Sequence, residues 1–165
     1  MSGAEERIGP PALLWQVLEG RAVFELGAMA WLYPLLRQAP RGDGHPVLVV
    51  PGFLASGSST FPLRQFLKSL GYAAHRWKQG RNLGGVGETE ERLLGRLREL
   101  RRRYGRKVSV IGWSLGGMYA RELACMAPDD VRLVITMGSP FRNHTGTAVT
   151  LLYEDVSGQS EAHMD

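Results

Sequence analysis

The chain has 165 residues, of which 44% are hydrophobic and 22% charged, and its formal net charge is +4 at pH 7. This length suits one domain, and this composition can fill a hydrophobic core, which excludes wholesale disorder. A single cysteine excludes an internal disulfide and a Cys-rich zinc module. We find neither a secretory signal nor an apolar run of the ~20 residues that a membrane-spanning helix needs, so we expect a cytoplasmic protein.

The basic residues concentrate in one stretch of the chain. Six arginines and one lysine fall between residues 96 and 107. Such a run can bind nucleic acid or anionic lipid, but acidic residues lie close by, and neither interleaved aromatic residues nor a nucleic-acid motif accompany it. We therefore interpret the run as a solvated helix face and expect no nucleic-acid partner.

Residues 1–40 are predicted to form an N-terminal helical segment. Apolar residues recur every three to five positions from Pro11 to Gln38, with charged residues between them, as on a helix with one buried face. Pro34 is expected to bend or end the helix. Aromatic residues in this segment leave peripheral membrane contact as an alternative, but we favour packing against a sheet.

Residues 41–142 show strands alternating with helices. Four apolar runs that end in turn residues are predicted as strands, over residues 47–50, 72–77, 108–111 and 131–137. Three amphipathic stretches are predicted as helices, from Pro62 (with Thr60 as cap) to Leu70, over Glu88–Tyr104 and over Met118–Met126. This alternation predicts an α/β fold with a parallel sheet of about four strands and flanking helices. From residue 143 the alternation stops, and residues 143–165 are predicted as an irregular C-terminal tail.

Two side chains in these helices carry specific expectations. Arg96 is expected to face solvent with the other charged residues of Glu88–Tyr104, opposite a stripe of leucines. Cys125 is expected to lie in the core, because it falls within the last predicted helix.

One motif in the core carries chemistry: Gly112-Trp113-Ser114-Leu115-Gly116 matches G-x-S-x-G. It follows a predicted buried strand and opens a helix, which is the context that the pattern needs. A reversal in so few residues strains the backbone at Ser114, and larger side chains at Gly112 and Gly116 would collide with neighbouring elements. The hydroxyl is then exposed beside a helix N-terminus, whose dipole favours developing negative charge. The alternative is a glycine-rich turn without chemistry.

With this motif and two further segments, the chain resembles the α/β-hydrolase superfamily and, within it, bacterial esterases and lipases. The further segments are residues 45–53 (HPVLVVPGF) and 134–141 (VITMGSPF). They occur in the family's order, and the resemblance covers about residues 45–141. It implies that the strand at 47–50 lies beside that at 108–111, and that Ser114 is the nucleophile in ester hydrolysis, with no cofactor or metal.

The resemblance also implies an oxyanion hole. One donor is the backbone N–H of Leu115, the residue after the nucleophile. In the family the second donor follows a His-Gly pair. This sequence has Pro51 and Gly52 there, so the second donor is the N–H of Phe53, with Leu54 next to it. Gly52 supplies the conformational freedom that lets the loop aim this donor.

A catalytic acid and base are not evident at the family's positions. The family uses a histidine oriented by an acid, in the chain order Ser, acid, His. His144 is the candidate base, because it follows a predicted strand on the side where sites of parallel sheets form. His45 precedes its strand and is expected to be a surface or capping residue about 20 Å from the site. His75 is expected to pack within a strand, and His163 lies in the tail.

These gaps predict a C-terminally truncated hydrolase and leave three functions open. The first is an esterase or lipase that cleaves small-molecule or lipid esters through a Ser114 acyl-enzyme. The second is a catalytically incomplete fragment or interaction module, whose unpaired sheet edge would favour self-association. The third is an acyltransferase or thioesterase on the same fold.

Overall fold

The computed structural model describes residues 32–85 and 87–139. Residues 32–36 are helical. The elements that follow are, in chain order, β1 (Pro46–Val50), α1 (Phe61–Ser69), β2 (Ala73–Arg76), α2 (Glu88–Tyr104), β3 (Val108–Trp113), α3 (Leu115–Met126) and β4 (Val131–Met137). The expectations for most of the N-terminal helical segment, for His144 and His163, and for the tail fall outside the described residues.

The four strands form one parallel sheet in the order β2-β1-β3-β4. β1 lies beside β3, with Val47 opposite Ser109 and Val50 opposite Gly112. The predicted α/β fold class is therefore confirmed, and so is the strand pairing that the family resemblance implied. β1 is a continuous apolar run, and β3 is apolar except at Ser109, because both central strands are buried on their two faces along most of their length.

Helices cover both faces of this sheet. On one face, alternate residues of β1 and β3 contact the leucine stripe of α2 and the buried side of α3; these core residues include Leu48, Val50, Val110, Leu93, Leu97, Leu100 and Leu123. On the other face, α1 supplies Leu63 and Leu67, which pack against Val47, Val49 and Ile111. The sheet is thereby held between two helical layers, and the loops at the carboxyl ends of its strands form the site described below.

Arg96 in α2 departs from the predicted pattern, because its side chain is buried and only 7% exposed. Leu93 and Leu100 lie three residues before it and four after it, so all three residues share one helix face. The Arg96 guanidinium donates a hydrogen bond to the Glu99 carboxylate, which pairs the buried charge. The buried face of α2 is therefore wider than the spacing of its leucines predicts.

Thr60 precedes α1 as predicted, but its side chain does not cap the helix. The Thr60 hydroxyl instead donates to the carbonyl of Gly57 and accepts from Arg64. Pro62 lies in the first turn of α1 as predicted, where its missing N–H costs no hydrogen bond. The start of α1 therefore depends on proline and on the preceding turn rather than on a side-chain cap.

α3 begins at Leu115, three residues before its predicted start. Cys125, expected in the core, is exposed. The buried face of α3 runs instead through Tyr119, Ala120 and Leu123, and Cys125 lies off this stripe. The prediction for Cys125 was wrong because a helix on the outside of a sheet buries only one face.

β4 is an edge strand of the sheet, and no described strand pairs with its outer side. Two of its apolar side chains are largely open to solvent, Leu133 at 54% exposure and Ile135 at 42%. Both alternate along the strand with Val134, which packs into the core on the opposite face. The described residues thus leave an apolar strip on β4.

Candidate active site

Ser114 forms a one-residue turn between the end of β3 and the start of α3. Its backbone has φ 51° and ψ −123°, a conformation that non-glycine residues adopt only at a cost in energy. The turn places Ser114 at the carboxyl end of a central strand and at the N-terminus of a twelve-residue helix. The dipole at the N-terminus of this helix favours negative charge near Ser114.

Glycines make this turn possible because the backbones touch. A Cβ atom on Gly112 would lie under 3.0 Å from backbone atoms of Gly116 and Gly117. A Cβ on Gly116 would lie 2.5 Å from the Val50 carbonyl oxygen and 2.6 Å from that of Pro51. The prediction that larger side chains at Gly112 and Gly116 would collide with neighbouring elements therefore agrees with these distances.

The backbone of Ser114 is also held by β4. The Ser114 N–H donates to the Met137 carbonyl at 2.9 Å, so the ladder between β3 and β4 reaches the turn itself. A Cβ on Gly117 would overlap the Ser139 side chain, so α3 also lies directly against the end of β4. The edge strand β4 therefore helps to hold the backbone of Ser114 in its strained conformation.

The loop of residues 51–55, which follows β1, lies against Ser114. A Cβ built on Gly52 would be 3.2 Å from the Ser114 Cβ and 3.2 Å from the Trp113 carbonyl oxygen. Together they border a cavity of about 360 Å³, lined by Gly52, Phe53, Leu54, Ala55, Ser59, Trp113 and Ser114. The structure thus brings Ser114 and Phe53 to one cavity and places Leu115 next to Ser114, while their roles as nucleophile and oxyanion donors remain predictions.

Asn82 lies beneath the 51–55 loop and is fully buried, with 0% exposure. Its side-chain Nδ2 donates to the Pro51 carbonyl at 2.9 Å, and its Oδ1 accepts from the Gly84 N–H at 3.1 Å. Its main chain exchanges hydrogen bonds with Leu54 and Ala55. Asn82 was not predicted as a functional residue, because the only signal in the sequence is an amide side chain in a glycine-rich loop between β2 and α2.

His45 lies at the amino end of β1, away from Ser114 as expected, but it is not a surface residue. It is 8% exposed, with Nε2 at 3.0 Å from the Ser109 hydroxyl and Nδ1 bonded to the Asp43 carboxylate. The prediction of a surface or capping residue is therefore wrong. His45 reaches Ser109 because β1 and β3 are neighbouring parallel strands, with Val47 opposite Ser109.

His75 packs within β2, as expected. Its Nε2 lies 2.8 Å from the Tyr104 hydroxyl, and the two rings meet edge to face. Burial lowers the pKa of His75 to about 4, with a further contribution from the nearby charges of Arg96 and Arg103. His75 is therefore neutral at pH 7 and serves packing.

Other chemistry finds no support within the described part of the chain. There, no group of three or more His, Cys, Asp or Glu side chains could hold a metal ion. Asp130, at the amino end of β4, pairs with Arg98 and Arg101, far from Ser114 along the strands. The helices that the structure describes are all too short or too polar to cross a membrane.

Comparison with solved structures gives relatives of one fold. A lipase of Bacillus licheniformis in its mature form is 25% identical, and the match covers 73% of this chain and 53% of the lipase, with a TM-score of 0.50. A probable hydrolytic enzyme from Pseudomonas aeruginosa is 22% identical over 61% of this chain and 35% of its own, with a TM-score of 0.48. An α/β hydrolase from the metagenome of lagoon sediments at Mar Chica, Morocco, is 22% identical over 72% of this chain and 53% of its own, with a TM-score of 0.47.

No protein-family model and no curated protein matches the chain. The chain spans about half the length of the Bacillus lipase that it matches, 53%. The match nevertheless includes most of this chain, and it agrees with the motifs in the sequence and with the parallel order of the strands. On these grounds the described part of the chain has a partial α/β-hydrolase fold.

Proposed function

We propose that this chain is a serine hydrolase of the esterase and lipase type, which cleaves carboxylic esters through an acyl-enzyme on Ser114. The observation that carries the proposal is the strained backbone of Ser114, with φ 51° at a one-residue turn that borders a cavity. Such strain persists only where the surrounding structure fixes it, and it clusters at functional sites. The Bacillus protein that this chain resembles is described as a lipase, which supports the class of reaction.

In the proposed mechanism, the Ser114 hydroxyl oxygen attacks the ester carbonyl while its proton passes to a histidine, for which His144 is the candidate. The N–H groups of Phe53 and Leu115 bind the oxyanion of the tetrahedral intermediate. The intermediate collapses to an ester of Ser114, and the departing alcohol takes the proton from the imidazolium. Water, deprotonated by the same histidine, then releases the carboxylic acid and restores the serine.

The walls of the cavity support an ester with an apolar acyl group. Phe53, Leu54, Ala55 and Trp113 supply apolar side chains there, and Ser59 and Ser114 supply hydroxyls. A pocket with apolar walls and a few polar groups is typical of small-ligand sites. A small-molecule or lipid ester can place its acyl group against these side chains and its carbonyl at Ser114.

The experiment that tests this function is labelling with a fluorophosphonate, which reacts with activated serines. We expect the full chain to be labelled, Ser114→Ala to lose the label, and Ser59→Ala, a serine of the same cavity, to keep it. Folded wild-type protein without label would contradict the proposal. Labelling that persists in His144→Ala would contradict only the assignment of His144 as the base.

We propose a second function, self-association through β4, on a separate observation. Leu133 and Ile135 are exposed on this edge strand, beside an outer edge that no described strand pairs. Unpaired edges with apolar side chains favour pairing with another chain. The corresponding measurement is given in the Discussion.

A further inference from the structure

We infer that Asn82 is a positioning residue, which fixes the 51–55 loop so that the Phe53 N–H is held toward the reacting carbonyl. The inference rests on the proposed function, because the aim of this loop affects chemistry only if Ser114 reacts. It assigns a role to the glycine-rich stretch between β2 and α2, which the proposed mechanism does not otherwise use.

Every polar group of Asn82 is engaged, and three of its four hydrogen bonds reach the 51–55 loop. The side-chain Nδ2 donates to the Pro51 carbonyl at 2.9 Å. The main-chain carbonyl accepts from the Leu54 N–H at 2.7 Å, and the main-chain N–H donates to the Ala55 carbonyl at 2.8 Å. These contacts fall on both sides of Gly52 and Phe53, so they fix the ends of the segment that carries the expected donor.

The Pro51 carbonyl is confined from two directions. The Asn82 amide binds its oxygen on one side, and on the other a Cβ at Gly116 would lie only 2.6 Å from that oxygen. The same peptide unit leads directly into Gly52, whose φ and ψ set the direction of the next N–H. The side chain of Asn82 and the closeness of α3 therefore determine together where the Phe53 N–H points.

Leu54 shows that the loop needs such support. Its φ is 57°, which side-chain-bearing residues adopt only when their surroundings fix it. The bond from its N–H to Asn82 is the main-chain contact that holds it. Without the Asn82 side chain, the loop loses its other anchor at Pro51, and Leu54 can relax toward an ordinary conformation.

An amide is the side chain that this position requires. The carbonyl of Pro51 needs a donor, and the N–H of Gly84 needs an acceptor, and only Asn supplies both at this length. An ionised Asp would place an acceptor against the Pro51 oxygen, so it would repel the loop while retaining nearly the same shape. Asn82→Asp is therefore a near-isosteric test of the donor.

The test compares Asn82→Asp with Gln79→Ala in the full chain. Gln79 lies in the same loop, and its amide donates to the Thr89 carbonyl at 3.3 Å, away from residues 51–55. We expect Asn82→Asp to lower kcat for a p-nitrophenyl ester about 10- to 100-fold, as misplacement of a catalytic group does, with KM changed less than about two-fold because the cavity walls remain. Gln79→Ala should keep both constants. An unchanged kcat in folded Asn82→Asp, or an equal loss in Gln79→Ala, would overturn the inference.

A second readout separates this inference from the function on which it rests. Hydrogen exchange of the Leu54 amide, measured by NMR, reports the loop without any substrate. We expect exchange at Leu54 to be at least about ten-fold faster in Asn82→Ser than in wild type, because the loop opens more often, with Val110 in β3 unchanged. Unchanged exchange at Leu54 overturns the inference even if Ser114 is reactive. Faster exchange in a protein that no fluorophosphonate labels would sink the proposed function and leave the anchoring of the loop established.

Discussion

The Nε2 atom of His45 lies 3.0 Å from the Ser109 hydroxyl oxygen, and this hydrogen bond joins the start of β1 to β3. Asp43 bonds to the other ring nitrogen, so the three side chains form a Ser-His-Asp series. The series is in the wrong place for catalysis, because Ser109 is 4% exposed and Ser114 lies five residues further along the chain, just beyond the other end of β3 and about 16 Å away. The network therefore holds the strands together at their amino ends.

Replacing His45 by Ala should destabilise the fold without affecting the reactivity of Ser114. The change leaves the buried Ser109 hydroxyl without its partner, which costs about 1–3 kcal/mol of unfolding free energy. Urea denaturation measures this loss, and Ser109→Ala should cost less in the His45→Ala background than in wild type, because the pair acts as one unit. Unchanged stability in His45→Ala would contradict this role, as would loss of fluorophosphonate labelling in the folded variant.

The stability of the fold should fall in mild acid because of His75. Its pKa is about 4 in the folded protein, against an ordinary value of 6.5. Between these pH values the unfolded chain binds the proton and the folded chain does not, so protonation favours unfolding. The contribution of neutral His75 to the free energy of unfolding is therefore complete above about pH 6.5 and is lost as the pH falls toward 4. We expect His75→Phe to show a smaller fall between about pH 7 and about pH 5 than wild type in urea denaturation. A variant with the wild-type dependence on pH would exclude His75 as the cause.

Two glycine-to-alanine changes should have opposite effects on the free energy of unfolding. Gly116→Ala places a Cβ at 2.5 Å from the Val50 carbonyl oxygen, so we expect a loss of about 1–3 kcal/mol or more together with loss of labelling at Ser114. Gly95→Ala is the matched control, because Gly95 lies within α2 and its Cβ would meet nothing within 4 Å. There we expect a gain of about 0.5–1 kcal/mol from helix propensity. Thermal unfolding compares the two, and a stable, labelled Gly116→Ala would disprove the steric argument.

Charge on the outer strand should prevent self-association. We expect Leu133→Lys with Ile135→Lys to shift any dimer or larger species toward monomer in sedimentation, because lysines on edge strands oppose pairing. Both residues are largely exposed, so the unfolding free energy should change by only about 0.5 kcal/mol per site. Gln65→Lys on α1, an exposed position, adds charge elsewhere and should leave the distribution as in wild type. Association that survives the β4 changes would place the interface elsewhere.

Strands, helices and the Ser114 turn could be predicted from the sequence because each depends on neighbours in the chain. The strands that contain Val47 and Val110 are buried on both faces, so the first is a continuous apolar segment and the second is apolar except at Ser109. The glycines around Ser114 report a close approach of two backbones that are linked within a few residues. In these segments the contacts in the structure depend on residues that are close in sequence, so the sequence pattern predicts them.

Contacts between distant segments could not be predicted in this way. Asn82 meets Pro51 across 31 positions of the chain, and His45 meets Ser109 across 64. A polar residue in a loop or before a strand gives no periodic signal of such a partner, so Asn82 was not predicted as a functional residue and His45 was expected to be a surface or capping residue. Arg96 was predicted to face solvent because of its charge, although its position in the helix puts it on the buried face of α2.

The hydrogen bond from the Ser114 N–H to the Met137 carbonyl gives β4 a second structural role. The strand that leaves one edge open to another chain is also the strand that holds the main chain of Ser114. A strand that pairs with that edge would therefore restrain Met137 and, through it, the proposed nucleophile Ser114. The proposed self-association and the proposed reactivity of Ser114 thus depend on the same strand, so the labelling rate of Ser114 should be measured together with the state of association of the protein.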